Sequence, residues 1–279
     1  MGKIVGGIGT SHVPTVARAV DHKMQGEPAW KPLFDAYEPV KRWLAELKPT
    51  VAIIAYDDHG ADFFLDRFPT FAVGAAPEYE IADEGFGVRK LPKIPGDMAF
   101  SQHLCESLVK DEFDITICQD MKVEHGLLVP MNLCFEQGET WPVPVVPLLV
   151  NAMLHPLPTA LRCYKLGQAI RRAVESYGDD ARVVIFGTGG LSHQLSGKTF
   201  GAMSEKWDLD FLDRLGPNPE SLFWLSHAEL IRRFGVEGIE VMIWLIMRGA
   251  MAGDVRQVHR NYYAPMTTGM GLLTFEDAA

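Results

Sequence analysis

Residues 4–14 read IVGGIGTSHVP, and the fold turns on how this stretch ends. The run 4–10 is short, apolar and glycine-rich, which fits a buried strand. It stops at Ser11-His12, and Pro14, with no N–H to offer a ladder, keeps the strand from continuing. A histidine is thereby fixed just beyond a strand's carboxyl end. Further strand-like runs follow at 51–56, 70–75, 114–118, 143–150 and 182–187. Between them, 30–48 carries Leu33, Phe34, Tyr37, Val40, Trp43, Leu44 and Leu47 at helical spacing, and 98–110 and 161–176 repeat that period. Alternation of this kind predicts an α/β fold, a central mixed or parallel sheet flanked by helices on both faces. After Gly201 the pattern turns helical, at 207–215, 220–225, 227–234 and 239–251, with 270–275 returning to the sheet. The segment 77–95 is a long excursion rich in Gly, Pro and charge, and loops of that length often carry function. No linker or repeat interrupts the chain, so residues 1–279 are expected to form one large domain with a helical C-terminal part.

Composition narrows the function classes. With 47% hydrophobic and 22% charged residues, the chain reads as an ordinary globule rather than a disordered segment. A net charge of −10 argues against nucleic acid, which needs a Lys/Arg face. The basic residues fall in isolated pairs, Lys41-Arg42, Arg171-Arg172 and Arg232-Arg233. Cys105, Cys118, Cys134 and Cys163 form no C-x-x-C pair and read mostly as small core residues. The N-terminal run has no signal-peptide pattern, and the apolar helix at 239–251 is shorter than the roughly 20 residues of a membrane span. These features together predict a cytoplasmic protein.

Four of the nine histidines share a context. His12 follows the first strand; His59 stands in YDDHG after 51–56; His125 stands in KVEHGLLVP; His193 stands in GTGGLSHQLSG after 182–187. In α/β sheets the crevice beyond the carboxyl ends of the strands is where ligands bind. Imidazole is both a common metal ligand and a proton carrier near neutral pH. Among carboxylates, Glu240 in GVEGIEVMIWLIMRGA opens an intensely apolar helix, where an uncompensated charge is costly unless paired or metal-bound. Asp57 and Asp58 are alternatives, better suited to supporting or capping roles. Two histidines and one carboxylate make the facial triad of non-haem Fe(II) oxygenases, with positions left for substrate and O2. A zinc-dependent hydrolase on the same donors, with His193 as proton shuttle, is the competing reading; it would be indifferent to O2.

The motifs GTSHVP, YDDHG, GTGGLSHQ and GVEGIEVMIWLIMRGA resemble the class III extradiol ring-cleavage dioxygenases. Within them the chain is most similar to the branch of catalytic β subunits of protocatechuate 4,5-dioxygenases. PTFAVGAAPEYEIADEGFG, DEFDITI, HPLPTALRCYKLGQAIRRAVESY and WDLDFLDRL extend the likeness along nearly the whole chain. The resemblance implies Fe(II) held by His12, His59 and Glu240, His193 as catalytic acid/base, and His125 beside the substrate hydroxyl and oxygen. It implies O2-dependent opening of protocatechuate at the 4,5 position to 4-carboxy-2-hydroxymuconate semialdehyde. One departure stands in YYAPMTTGMG, where Thr267 and Thr268 replace an expected Ser-Asn pair that helps hold the ring carboxylate. Gallate or 3-O-methylgallate is therefore an alternative substrate. The resemblance also implies a small helical α subunit that covers the active site in an α2β2 assembly. The alternative is a homodimer in which the 77–95 excursion does the covering.

Overall fold

The computed structural model describes residues 1–278. In chain order the elements are β1 (Lys3–Thr10), α1 (Pro14–Asp21), α2 (Lys31–Leu47), β2 (Val51–Tyr56), β3 (Phe71–Gly74), β4 (Glu78–Ile81) and β5 (Ile94–Pro95). Then come α3 (Met98–Lys110), β6 (Thr116–Cys118), β7 (Lys122–Val123), α4 (His125–Cys134), β8 (Val145–Val150), α5 (Ala160–Ser176) and β9 (Arg182–Thr188). The last part holds α6 (Glu205–Leu215), α7 (His227–Phe234), α8 (Trp244–Ala250), β10 (Val255–Tyr263) and β11 (Met270–Asp277). Eight strands form a mixed sheet in the order β10-β11-β1-β9-β2-β8-β3-β6, and β5-β4-β7 form a small second sheet.

The sheet's centre, β1-β9-β2-β8, is parallel. Helices cover both of its faces, so β2 (VAIIAY) and β8 (VVPLLV) are buried at every residue. Successive side chains go to opposite faces. Ile53, Ala55, Val183 and Ile185 pack with α3, α5 and α8, whereas Ala52, Ile54, Val184 and Phe186 pack with α1, α2 and α4. The glycines of β1 answer to a close neighbour: a Cβ on Gly9 would stand 2.3 Å from the Trp244 ring of α8.

The expected α/β architecture is present, with differences that have physical causes. The expected return to the sheet at 270–275 is β11, but it is one arm of a hairpin whose other arm, β10, was not expected; the hairpin joins the sheet edge beside β1. The strand β10, VRQVHRNYY, pairs only with β11 and is half exposed, so it lacks the apolar run or clean alternation that marks an inner strand. Residues 237–251 are not one helix: Glu237–Ile243 is wound as a 3-10 segment before α8 begins. The stretch HGLLVPMNLC, which contains Gly126 and Pro130, is nonetheless the helix α4, buried at nearly every residue. The 77–95 excursion contains β4 and β5.

Candidate metal centre

Three neighbouring strand ends build the site. β9 lies between β1 and β2, with Thr10 opposite Thr188 and Ala55 opposite Gly187. The residues just beyond these ends are His12, the segment Asp57–His59 and the loop Gly189–His193. Glu240 reaches the same place from the 3-10 segment. A Cβ on Gly189, where φ is 143°, would stand 2.7 Å from the Glu240 Cβ. Only glycine lets the β9 loop pass this close.

The donors converge on Glu240. Its Oε2 lies 3.0 Å from His12 Nε2 and accepts the Gly190 N–H at 2.8 Å. Its Oε1 lies 3.8 Å from both His59 Nε2 and His193 Nε2. Each imidazole is oriented from its other nitrogen. Pro130 has no N–H, so the Gly126 carbonyl, four residues earlier in α4, lacks its helical partner. The Thr188 hydroxyl donates to it instead, at 3.3 Å. With its proton so used, Thr188 Oγ1 accepts from His12 Nδ1 at 2.9 Å. The His193 Nδ1–H donates to the Leu191 carbonyl at 2.8 Å, and the His59 Nδ1–H to Glu124 at 3.3 Å. The network thus assigns all three rings the tautomer with an Nε2 lone pair aimed at the site.

Lone pairs of His12 and His59 and a carboxylate facing one another repel unless a positive charge lies among them. A divalent cation reconciles them, and the set His12, Asp57, His59 and Glu240 can hold one. With no ion bound, protons on the imidazoles supply that positive charge instead. Burial alone would raise the Glu240 carboxyl, but His12 and His59 outweigh it and hold it well below the usual carboxylate range. Burial would lower His59, yet Asp57 and Glu124 hold it well above its ordinary value. Asp57 is pushed up to about 6 by burial and by Glu240.

His125 does not extend from a central strand. It opens α4, directly after β7 of the small sheet, and its ring centroid lies 4.2 Å from that of His59 and 5.7 Å from that of His12. Parallel pairing of β4 with β7 carries the following residues, Glu84 and Glu124-His125, to the same place, and both carboxylates face His125 Nδ1. Neither glutamate was singled out by sequence reasoning. The signal for Glu124 is its place before a glycine-flanked histidine, where it accepts the Gly126 N–H at 2.8 Å as the cap of α4.

Thr268 is buried, and its backbone forms a two-residue bridge with His193. Thr267 is half-buried, with its methyl against Gly201. Asp58 caps the turn after β2, accepting the N–H groups of Gly60, Ala61, Asp62 and Phe63 at 2.9–3.2 Å. Asp57 does not share that role. A cavity of about 600 Å³ opens beside His125 and Glu84, walled by α1 and by Phe86 and Arg89 of the excursion. Arg89 pins the excursion to α1 through Asp21, at 2.8 and 2.9 Å.

Sheet, crevice and converging histidines define an α/β protein with a cluster of donors able to hold a metal ion. Residues 6–273 match the family described as the catalytic LigB subunit of aromatic ring-opening dioxygenase, and the chain belongs to that family. It is 45% identical over 197 residues to gallate dioxygenase of Pseudomonas putida, a match covering 71% of this chain and 58% of that one. It is 32% identical over 173 residues to the 2,3-dihydroxyphenylpropionate/2,3-dihydroxicinnamic acid 1,2-dioxygenase of Cupriavidus necator, covering 62% and 53%. The chain thus spans little more than half the length of these relatives. An uncharacterized protein of Escherichia coli K12 shares the fold, with a TM-score of 0.53, 14% identity, and coverage of 98% of this chain and 100% of that one. No helix among the described residues is long and apolar enough to cross a membrane.

Proposed function

We propose that residues 1–279 act as one catalytic unit, a non-haem Fe(II) extradiol dioxygenase that opens the ring of a catecholic acid with O2. The observation that carries this reading is the convergence of His12, His59 and Glu240, with His193 and His125 on the flanks of the same crevice. Family membership supports the reaction class. The likeness to gallate dioxygenase supports gallate as substrate. Protocatechuate, which the whole-chain resemblance implies, is the second reading; 3-O-methylgallate is a third member of the same class.

His12, His59 and Glu240 would hold the iron. Bound there, Fe(II) would supply a Lewis-acid and electron-transfer centre for the reaction of the ring with O2. His193 has its Nδ1–H committed to the Leu191 carbonyl, so Nε2 is free to accept a phenolic proton and later return it. His125, held from Nδ1 by Glu84 and Glu124, presents its other nitrogen to charge building on oxygen, a preorganised electrostatic contribution. The hydroxyls of Thr267 and Thr268 are the donors assigned to the ring carboxylate. The wall formed by α1 and the excursion limits water at the mouth.

A small helical α subunit, in an α2β2 assembly, would complete the cover. Exposed apolar side chains on the 77–95 excursion and on the segment after His193, among them Phe86 at 97% and Phe200 at 66%, fit an interface there. Four free cysteines fit the reducing cytoplasm.

The test is anaerobic metal analysis of the purified chain, followed by O2 uptake with gallate, protocatechuate and 3-O-methylgallate. Iron-dependent uptake with loss of the substrate's aromatic absorbance is expected. Hydrolytic activity with Zn2+ and no O2 consumption would replace this reading with the hydrolase.

A further inference from the structure

The peptide that orients His193 is itself held from behind. The His193 Nδ1–H donates to the Leu191 carbonyl at 2.8 Å. The N–H of that same peptide unit, on Ser192, donates to Asp208 Oδ1 at 2.7 Å. Carboxylate, peptide and imidazole thus form one chain of hydrogen bonds behind Nε2, the ring atom that faces Glu240 in the crevice. Gly269 makes room for it: a Cβ there would stand 2.2 Å from Asp208 Oδ2.

The other backbone groups around His193 meet neutral partners. Leu191 N–H donates to the Gly269 carbonyl at 3.0 Å, Gly269 N–H to the Ser192 carbonyl at 2.9 Å and His193 N–H to the Phe234 carbonyl at 2.7 Å. These bonds fix the loop without a charge. Asp208 brings one. It is fully buried on α6, and its three donors, the Ser192 N–H, the Ser192 hydroxyl and the Tyr262 hydroxyl, are all uncharged. Burying a charge among neutral groups is costly, and a neutral side chain could join α6 to this loop at less cost. The charge does have a use at the far end of the chain. Hydrogen bonds in series polarise one another. A carboxylate on the N–H side enriches the Leu191 carbonyl oxygen, which then holds the Nδ1–H more firmly, most of all when the ring carries a second proton.

We propose that Asp208 is a positioning residue for His193, acting through the Leu191–Ser192 peptide to hold the tautomer that leaves Nε2 free and to stabilise the ring once Nε2 has taken a proton. This rests on the acid/base role given to His193 above. The phenolic proton moves to Nε2 and returns from it, while Nδ1 keeps its own proton and Asp208 stays ionised.

The experiment is a double-mutant cycle. O2 uptake with gallate, and with protocatechuate, is measured for iron-loaded wild type, Asp208→Asn, His193→Ala and the double variant, with the metal content and denaturant midpoint of each. Asparagine keeps the shape and an acceptor for the Ser192 N–H, and the two hydroxyls can turn to accept from its NH2. Asp208→Asn is expected to lower kcat about tenfold, the margin by which a charged hydrogen bond exceeds a neutral one, with KM and metal content unchanged. In the His193→Ala background the same change is expected to leave kcat where it is. Wild-type kcat in Asp208→Asn overturns the proposal. So does an equal fall in both backgrounds, which is an effect that does not pass through His193. An Asp208→Asn protein that does not fold, or that loses its metal, makes Asp208 a structural residue and overturns it too. Wild type that consumes no O2 overturns the dioxygenase reading itself, and this inference with it.

Discussion

Asp57 and Asp208 are both fully buried, and the molecule treats them in opposite ways. Asp208, on α6, accepts the Ser192 N–H at 2.7 Å, the Ser192 hydroxyl at 2.7 Å and the Tyr262 hydroxyl at 2.9 Å. It ties α6 and β10 to the residue before His193. Around Asp208 every donor is supplied by the chain; around Asp57 none is. A carboxylate surrounded by donors stabilises the fold it sits in. One without donors does so only when a positive charge stands beside it. The same residue type, equally buried, is supplied with donors in one place and left without them in the other.

The comparison can be broken most directly at the crevice. His12→Ala, His59→Ala or Glu240→Ala is expected to remove bound metal and turnover together while leaving the fold intact, as metal analysis and circular dichroism would report. Stoichiometric metal in Glu240→Ala would show that these donors do not form the site. Next in size, His193→Ala is expected to keep the metal and lower turnover about 10²–10⁴-fold, the usual contribution of a positioned acid/base. Loss of metal in that variant would move His193 among the ligands.

At the other pole, Asp208→Ala leaves the Ser192 N–H and its neighbours without an acceptor. Roughly 3 kcal/mol of stability should be lost, at about 1–3 kcal/mol per orphaned buried group, as a lower denaturant midpoint. Metal affinity should hardly change. An unaltered midpoint with weakened metal would erase the distinction between the two aspartates. Thr188→Val takes from the His12 ring the hydroxyl that fixes its tautomer, and metal affinity should fall about tenfold by chelator competition; it also leaves the Gly126 carbonyl without its donor, so the denaturant midpoint should drop by the equivalent of about 1 kcal/mol. Of similar size, Thr267→Ala and Thr268→Ala should each raise KM for the carboxylated substrate about tenfold with little change in kcat, since a hydrogen bond to a charged group contributes about 1.5–3 kcal/mol.

Much of this was legible in the residues, for identifiable reasons. The run 51–56 matches β2 because an inner parallel strand is apolar at every position. The runs 98–110 and 227–234 match α3 and α7 because their apolar faces keep helical spacing and their caps, Asp97 and Ser226, stand just before them. The four histidines were visible because each follows a glycine-rich or strand-like run. The roles of the aspartates were not. In WDLDFLDRL, Asp208, Asp210 and Asp213 look alike, and only the docking of α6 against Ser192 turns Asp208 inward. In YDDHG the two aspartates differ by one position, hence by one side of the strand, and chemistry depends on which side faces the crevice. Pro130 and Gly126 concealed α4, because residues that weaken an isolated helix are tolerated where burial holds it and where Thr188 takes up the released carbonyl.

The insertion of β9 between β1 and β2 also sets a timetable. The first two strands of the parallel core are not neighbours; the strand that joins them arrives later in the chain, with Arg182 bonding to Thr50 across 132 positions. His12 and Glu240 meet across 228. Closing loops of that size consumes chain entropy before any contact repays it, so such pairings belong to the late, slow part of folding. The helices α2, α3 and α5 can form from neighbours alone, whereas the crevice cannot exist in any partial chain that ends before α8. On the metal-site reading, metal uptake would be a clock for the last step of assembly. A nascent chain arrested after β9 should show most of its helical signal and hold no metal, and the ion should enter only when the 3-10 segment delivers Glu240.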